Sequence, residues 1–334
     1  MLILKVNTPG MSAIDKIKEP IAAELAEFER YFGEVMTTRI PLLNLVMKYL
    51  LKRKGKQMRP ILVFLTAKLF GKANLSTYTA AALIEILHTA TLIHDDVVDN
   101  SNQRRGFFSI NAIWKSKVSV LLGDYLYAKG LLLAVNNKEY EILNLVADAV
   151  REMSEGELQQ IRNSRKLSIS KDQYFEVIRK KTATLIACCC SSGAKSVGMP
   201  DDIIKKMHNF GQLLGIAFQI KDDLLDYQPN KLTGKPSGND LKERKLTLPL
   251  ILALEQAETA EKRHILRLLN HSGKNAHELS EISDFVIQNQ GLSFAAQQMN
   301  EFAATALKEL DHFDNSEIRE TLHEFVEFTI LRNK

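Results

Sequence analysis

AALIEILHTATLIHDDVVD, from Ala81 to Asp99, is the stretch that decides the fold: an apolar run at helical spacing that ends in three aspartates. Asp95 and Asp99 stand four apart, so on a helix they share a face, which Ile84, His88 and Thr91 continue toward the helix start. The pattern returns in GQLLGIAFQIKDDLLD, where Asp222 and Asp226, with Asp223 between them, share a face with Gly211, Gly215 and Gln219. Two acid-tipped apolar helices of this kind are expected to confront each other. Six carboxylates would then crowd one cavity. Two such charges about 6 Å apart repel by roughly 3 kcal/mol at an effective dielectric near 20. A cation must fill the gap, and an oxygen-only ligand set suits Mg²⁺, which binds through a few carboxylates, waters and substrate phosphates. One isolated D-D-x-x-D reads equally well as an ordinary solvated face. Two copies, each behind a dozen mostly apolar residues where unpaired charge is costly, argue for a magnesium diphosphate site.

The rest of the composition bounds what surrounds that site. A chain of 334 residues could hold two domains, but no Pro/Gly/Ser-rich linker, low-complexity tract or internal period marks a seam. One helical domain over residues 1–334 is therefore expected, with 1–10 as a poorly ordered extension and translation beginning at Met1 or Met11. Strand signals are confined to MLILKV, so the fold class is all-α, a single large bundle around a hydrophobic cavity. No uncharged apolar run reaches the roughly 18 residues of a bilayer span, and MLILKVNTPG lacks the basic start of a signal peptide. The cysteines, Cys188, Cys189 and Cys190, are adjacent, which suits neither a disulfide framework nor zinc, so a reducing cytoplasm is expected. A net charge of +4 does not argue for nucleic acid.

Basic residues cluster beside the acidic helices. KRKGKQMRP, Lys52 to Pro60, reads as a loop with Lys56 and Arg59 ahead of a helix opened by Pro60, a combination of cations and free N–H groups that suits phosphate. Arg104 and Arg105 follow Asp99 within six residues, and two arginines beside a metal site read as diphosphate forks rather than plain salt bridges. VSVLLGDYLYAKGLLLAV forms an apolar helix in which Gly123 allows close approach and Asp124 is an isolated charge in the core. Ser170 with Gln173 makes a capping box for a long helix carrying Lys180, Lys181 and Thr182. After Tyr227 comes the most loop-like stretch, basic through Lys231, Lys235, Lys242, Arg244 and Lys245, a candidate lid over phosphate.

The assembled motifs resemble the trans-type polyprenyl diphosphate synthases of the isoprenoid synthase family. GKQMRP, DDVVD, QRRG, FQIKDDLLD and GKPSGNDLKERKLTLP stand in order from Gly55 onward, with Lys54 a departure where the family often has glycine. The resemblance implies that Asp95, Asp99 and Asp222 bind Mg²⁺, about three ions per site with substrate bound, and that Asp96, Asp223 and Asp226 support them. It implies that Lys56, Arg59, His88 and Arg105 hold isopentenyl diphosphate and that Arg104, Lys181, Lys235 and Lys245 hold the allylic diphosphate. Thr182 and Gln219 would face the reacting carbons, and the chain would work as a homodimer with transient membrane association for product release. The implied activity is condensation of isopentenyl diphosphate with an allylic diphosphate, repeated to a long all-trans chain for quinones. Ala90 and Thr91, just ahead of Asp95, are not aromatic and leave the tunnel open, which favours hexaprenyl to decaprenyl over farnesyl or geranylgeranyl products. The rivals are a non-condensing subunit of the same fold, a metal-dependent phosphohydrolase using His94 and Asp95, and a helical scaffold.

Overall fold

The computed structural model describes residues 12–52, 55–104, 107–166, 170–228, 238–271 and 273–332. The extended-looking MLILKV, Lys54, and most of the basic stretch after Tyr227 lie outside them. The fold is all-α, as the periodicity predicts. Among the described residues the strands are Gln103–Arg104 and Phe107–Phe108, paired antiparallel just after the first acidic motif.

Packing groups the chain into two compact units. The first takes Met1–Val146, Cys189–Ile204 and Asp314–Phe328, and the second takes Ala147–Cys188, Lys205–Phe313 and Thr329–Lys334. Most of these divisions fall inside helices, where no linker composition could mark them.

The first unit begins with α1 (Ala13–Lys18), a 3-10 turn at Glu19–Ile21 and α2 (Ala22–Met36). Then come α3 (Pro41–Leu51), α4 (Met58–Phe70), α5 (Leu75–Val98), α6 (Ile110–Asn136) and the start of α7 (Tyr140–Lys166). Pro41 occupies the first turn of α3, where its missing N–H costs nothing. Asn74 starts α5 through a capping box: its side chain accepts from the Thr77 N–H at 3.2 Å, and Thr77 Oγ1 accepts from the Asn74 N–H at 3.2 Å. Asn74 Nδ2 also donates to the Ser196 carbonyl at 2.9 Å, tying this helix start to the later stretch of the same unit. Burial of Ile86, Ala90 and Ile93 with Met36, Val46, Met47, Leu122 and Leu126 packs α5 among α2, α3 and α6. By length and composition α6 is apolar enough to cross a membrane, which refines the expectation of no spanning run, and its Leu122–Leu126 side belongs to this core.

In the second unit, α7 is followed by α8 (Lys171–Ile178), a π turn at Arg179–Ala183 and the first part of α9 (Thr184–Ser196). The unit continues with most of α10 (Asp201–Asp226), then α11 (Asn239–Lys242), α12 (Leu248–Gln256), α13 (Thr259–Asn270), α14 (Ala276–Gln288) and α15 (Gly291–Leu310). The last helix, α16 (Glu317–Leu331), belongs to the first unit as far as Phe328. Ser170 and Gln173 form the expected capping box of α8, with hydrogen bonds of 3.2 and 3.0 Å. The long helix expected from there runs without a gap from Lys171 to Ser196, and within it lies the π turn, whose wider backbone is gripped from two sides. A Cβ on Gly156 of α7 would lie 2.7 Å from the Lys181 nitrogen, and one on Gly215 of α10 would lie 2.5 Å from the Ala183 Cα. Only glycine permits backbones this close, so these two positions hold Lys181 and Thr182 in place. Gly215→Val is predicted to lower the free energy of unfolding by about 1–3 kcal/mol, the range for overpacking a close contact. Urea titration followed by circular dichroism measures this, and an unchanged midpoint would show that the two backbones can part freely.

Candidate active site

In the first unit the acidic end of α5 is built as its spacing predicts. Asp95 and Asp96 lie in the last turn and Asp99 caps it, and that turn contains no basic residue. Asp96 is buried at 3 % exposure, Asp95 is half-buried and Asp99 is exposed. Burial, and after it the Asp95 carboxylate, raises the Tyr127 phenol above its usual range. Asp124 corrects the expectation of a charge in the core: it is exposed and lies 3.5 Å from His94 Nε2. His94 also stacks on Tyr127 with ring centroids 5.8 Å apart. Its imidazole is thus engaged by α6 through Nε2 and through the ring face.

The basic loop is also arranged differently from the expectation. α4 opens at Met58, two residues before Pro60, with Gln57 in the left-handed region at φ 56° as its N-cap. Arg59 therefore stands in the first helical turn, where its Nε donates to Glu85 of α5 at 2.8 Å. The Lys56 ammonium lies over the Phe328 ring of α16, 5.3 Å from its centroid. His88 is half-buried on α5, three residues beyond Glu85, and its carbonyl accepts from Thr91 Oγ1 at 2.8 Å. Ala90 is fully buried and Thr91 half-buried. The side chain of Arg104 and all of Arg105 and Lys235 lie outside the described residues.

The second unit gathers more of the expected residues. A cavity of about 210 Å³ is lined by Gln160, Asn163 and Ser164 of α7, Tyr174 of α8, Lys181 and Thr182 of the π turn, Gln219 and Asp223 of α10, and Asp240 and Lys245 beyond it. A chain of hydrogen bonds crosses its wall. Thr182 Oγ1 donates to Gln219 Oε1 at 2.8 Å, Gln219 Nε2 donates to Asp223 Oδ1 at 3.1 Å, and Asp223 Oδ2 accepts from Tyr174 at 2.7 Å and from the Leu248 N–H at 3.0 Å. Because the Thr182 proton is committed to Gln219, the hydroxyl can offer the cavity only lone pairs. Lys181 pairs with Glu157 at 2.5 Å, and Lys245 pairs with Asp240 at 3.3 Å and Glu243 at 2.6 Å. Burial pulls the Lys245 pKa down, but the Asp240 and Glu243 carboxylates outweigh it and hold the ammonium above its usual range.

Asp223 departs from the role of supporting metal ligand. It is buried at 3 % exposure and both its oxygens accept hydrogen bonds from the protein, so it works as an anchor for Gln219. Burial pushes its pKa up to about 7, against the pull of Leu248, Gln219 and Tyr174, all of which favour the charged form. Asp226 Oδ2 accepts from the Asp240 N–H at 3.1 Å and so helps fold the chain back toward the cavity.

Asp222, the first acid of the second motif, already faces a cation. Arg332, just past α16, places Nη2 2.6 Å from Asp222 Oδ1. The sequence reading missed this pair, since a C-terminal arginine 110 residues away carries no local signal. It also missed Asp240, Tyr174, Glu85 and Glu157. Asp240 alone had a local cue, in the GNDLKERK segment that was read only for its lysines.

Among the described residues, no three His, Cys, Asp or Glu side chains converge on a single point that would hold a metal. Taken motif by motif, the donors nonetheless suit a hard divalent cation: each motif offers carboxylate oxygens only, and in the second unit the Arg332 guanidinium stands beside Asp222 as a cationic partner. The remaining ligands of such an ion would be waters and diphosphate oxygens.

Comparison with known proteins places these features in a family. A family profile described as Polyprenyl synthetase matches residues 40–286. The octaprenyl diphosphate synthase of Haemophilus influenzae is 31% identical over 324 residues, covering 97% of this chain and 98% of that protein. A polyprenyl synthase from Caulobacter crescentus, solved with calcium and isoprenyl diphosphate, superposes with a TM-score of 0.89 at 31% identity, covering 97% of this chain and 100% of that one. A geranylgeranyl pyrophosphate synthase from Bacteroides thetaiotaomicron superposes with a TM-score of 0.83 at 37% identity, covering 96% and 100%. With its all-helical fold, its two aspartate motifs and its lysine-lined cavity, the chain belongs to the polyprenyl synthetase family and is a prenyl-transferring enzyme.

Proposed function

We propose that the chain condenses isopentenyl diphosphate with an allylic diphosphate and repeats the step to a long all-trans product, between hexaprenyl and decaprenyl, for quinone side chains. The observation that carries this reading is the cavity in which Lys181, Thr182, Gln219 and Lys245 meet. Lys181 and Lys245 are held by carboxylates, so an arriving allylic diphosphate exchanges one set of anionic partners for another at small desolvation cost. As the carbon–oxygen bond breaks, negative charge grows on the departing diphosphate and positive charge on the allylic carbons. The ammonium groups stabilise the first, and the Thr182 lone pairs, aimed by Gln219 and Asp223, stabilise the second. Attack by the double bond of isopentenyl diphosphate then forms the new carbon–carbon bond, and the released diphosphate accepts the proton that is lost.

Mg²⁺ bound by Asp95, Asp99 and Asp222 would add Lewis-acid neutralisation of the diphosphate charge. Lys56, Arg59, His88 and Arg105 are the groups proposed to hold isopentenyl diphosphate, with the Glu85 partner of Arg59 displaced by the anion. Arg104 and Lys235 complete the proposed allylic set. We place the enzyme in the cytoplasm as a homodimer that touches a membrane transiently to release product. The exposed apolar residues of α6, among them Leu121, Leu131 and Leu132, support the second copy, and a monomer mass in sedimentation would remove it. A shorter geranylgeranyl product is the second reading, favoured by the 37% identity to the Bacteroides enzyme.

Asp95→Asn and Asp222→Asn are each predicted to lower the condensation rate at least about 100-fold while circular dichroism stays unchanged, the scale of losing a group that stabilises developing charge. Near-normal rates in both variants would refute the site. Ala90→Tyr is predicted to shorten the product on chromatography, at an overpacking cost of about 1–3 kcal/mol that urea titration reads separately. An unchanged ladder from a folded variant would mean the growing chain passes elsewhere.

A further inference from the structure

Arg332 is not an ordinary surface ion-pair partner. Its side chain is only 10% exposed, whereas that of Asp222 is 41% exposed, so the arginine is the more deeply set member of the pair. Three further contacts fix it. Nη2 also donates to the Phe218 carbonyl at 3.2 Å, Nε donates to the Thr329 carbonyl at 3.2 Å, and the guanidinium lies 4.0 Å from the centroid of the Phe218 ring. Phe218 and Asp222 are four apart, so α10 itself supplies both a stacking surface and a carboxylate to one guanidinium. The last turn of α10 contains no basic residue of its own, and the acids there sit at the negative end of the helix dipole.

We propose that Arg332 is the resident counter-cation of Asp222 and makes metal entry at that carboxylate conditional on diphosphate. The inference rests on the diphosphate-site reading above. A divalent ion arriving alone at Asp222 meets a guanidinium already bonded to the same carboxylate and is repelled by it. An ion arriving with diphosphate brings excess negative charge, and the planar guanidinium can transfer its N–H groups from the carboxylate to a phosphate oxygen. Anchored through Phe218 and Thr329, it needs only to turn, not to leave. The arrangement keeps metal from settling unproductively in the substrate-free enzyme.

The experiment measures Mn²⁺ binding to the full chain by electron paramagnetic resonance, and binding of preformed manganese diphosphate by calorimetry, for wild type, Arg332→Gln, Arg332→Lys and the double variant Arg332→Gln/Asp222→Asn. Removing the charge is expected to tighten Mn²⁺ binding about tenfold or more, consistent with relief of one close like-charge contact. The gain disappears in the double variant, Arg332→Lys stays near wild type, and manganese diphosphate binds wild type more tightly than Arg332→Gln. If manganese diphosphate binds wild type but Arg332→Gln takes Mn²⁺ no better than wild type, this inference fails while the site stands. If neither Mn²⁺ nor its diphosphate complex binds any variant, the site reading falls and the inference falls with it.

Discussion

Two long helices, α5 and α10, end in aspartates at the pole where their own peptide dipoles are already negative, and neither last turn contains a basic residue. Each such charge costs about 0.3–1 kcal/mol at the wrong end of a helix, before any repulsion among the acids is counted. A sequence selected for stability alone would place lysine or arginine there. Compensation has to come from elsewhere in the chain or from a bound cation, and much of the second unit can be understood as supplying it. Arg332 reaches Asp222 from the far end of the sequence, and the buried Asp223 carboxylate is hydrogen-bonded by Tyr174, Gln219 and a backbone N–H, which offset part of its burial cost. Asp226 engages the backbone of Asp240, which in turn holds Lys245.

The consequence for chemistry is that neighbouring acids of one motif do different work. Asp222 is partly exposed and bonded to the Arg332 guanidinium, a partner it can exchange for a phosphate-bound cation. Asp223 is sealed by three donors and acts through Gln219, which fixes the proton of Thr182 and leaves an electron-rich oxygen facing the cavity. The π turn is the backbone counterpart of this arrangement. A regular helix would carry Lys181 and Thr182 around on the usual pitch. The wider turn, clamped at Gly156 and Gly215, brings both to the same cavity wall.

Helical periodicity made the all-α fold legible, and the acid-tipped helices α5 and α10 follow from spacing alone. Lys245 was legible from its basic loop and Gln219 from its place on the Asp222 face, but Lys181 and Thr182 only through a family resemblance, because Lys-Lys-Thr in a helix looks like surface until the π turn folds it inward. What stayed hidden was long-range. Nothing local in TILRNK marks Arg332 as the partner of Asp222, nothing near Glu85 marks it as the partner of Arg59, and Tyr174 gains its role only where α8 meets α10. The start of α4 was misread because Pro60 suggests a first turn, whereas a left-handed Gln57 lets the helix begin at Met58 and draws Arg59 into it.

The central claim is that these acids and lysines exist to release diphosphate from an allylic carbon and join that carbon to another isoprene unit. The most direct measurement incubates the purified chain alone with radiolabelled isopentenyl diphosphate, an allylic primer and Mg²⁺, and identifies the extracted product by mass spectrometry. The account predicts labelled all-trans polyprenyl diphosphate with six to ten isoprene units, formed only when all three components are present. Phosphate release without incorporation of label into a prenyl chain, or no turnover at all, would contradict it.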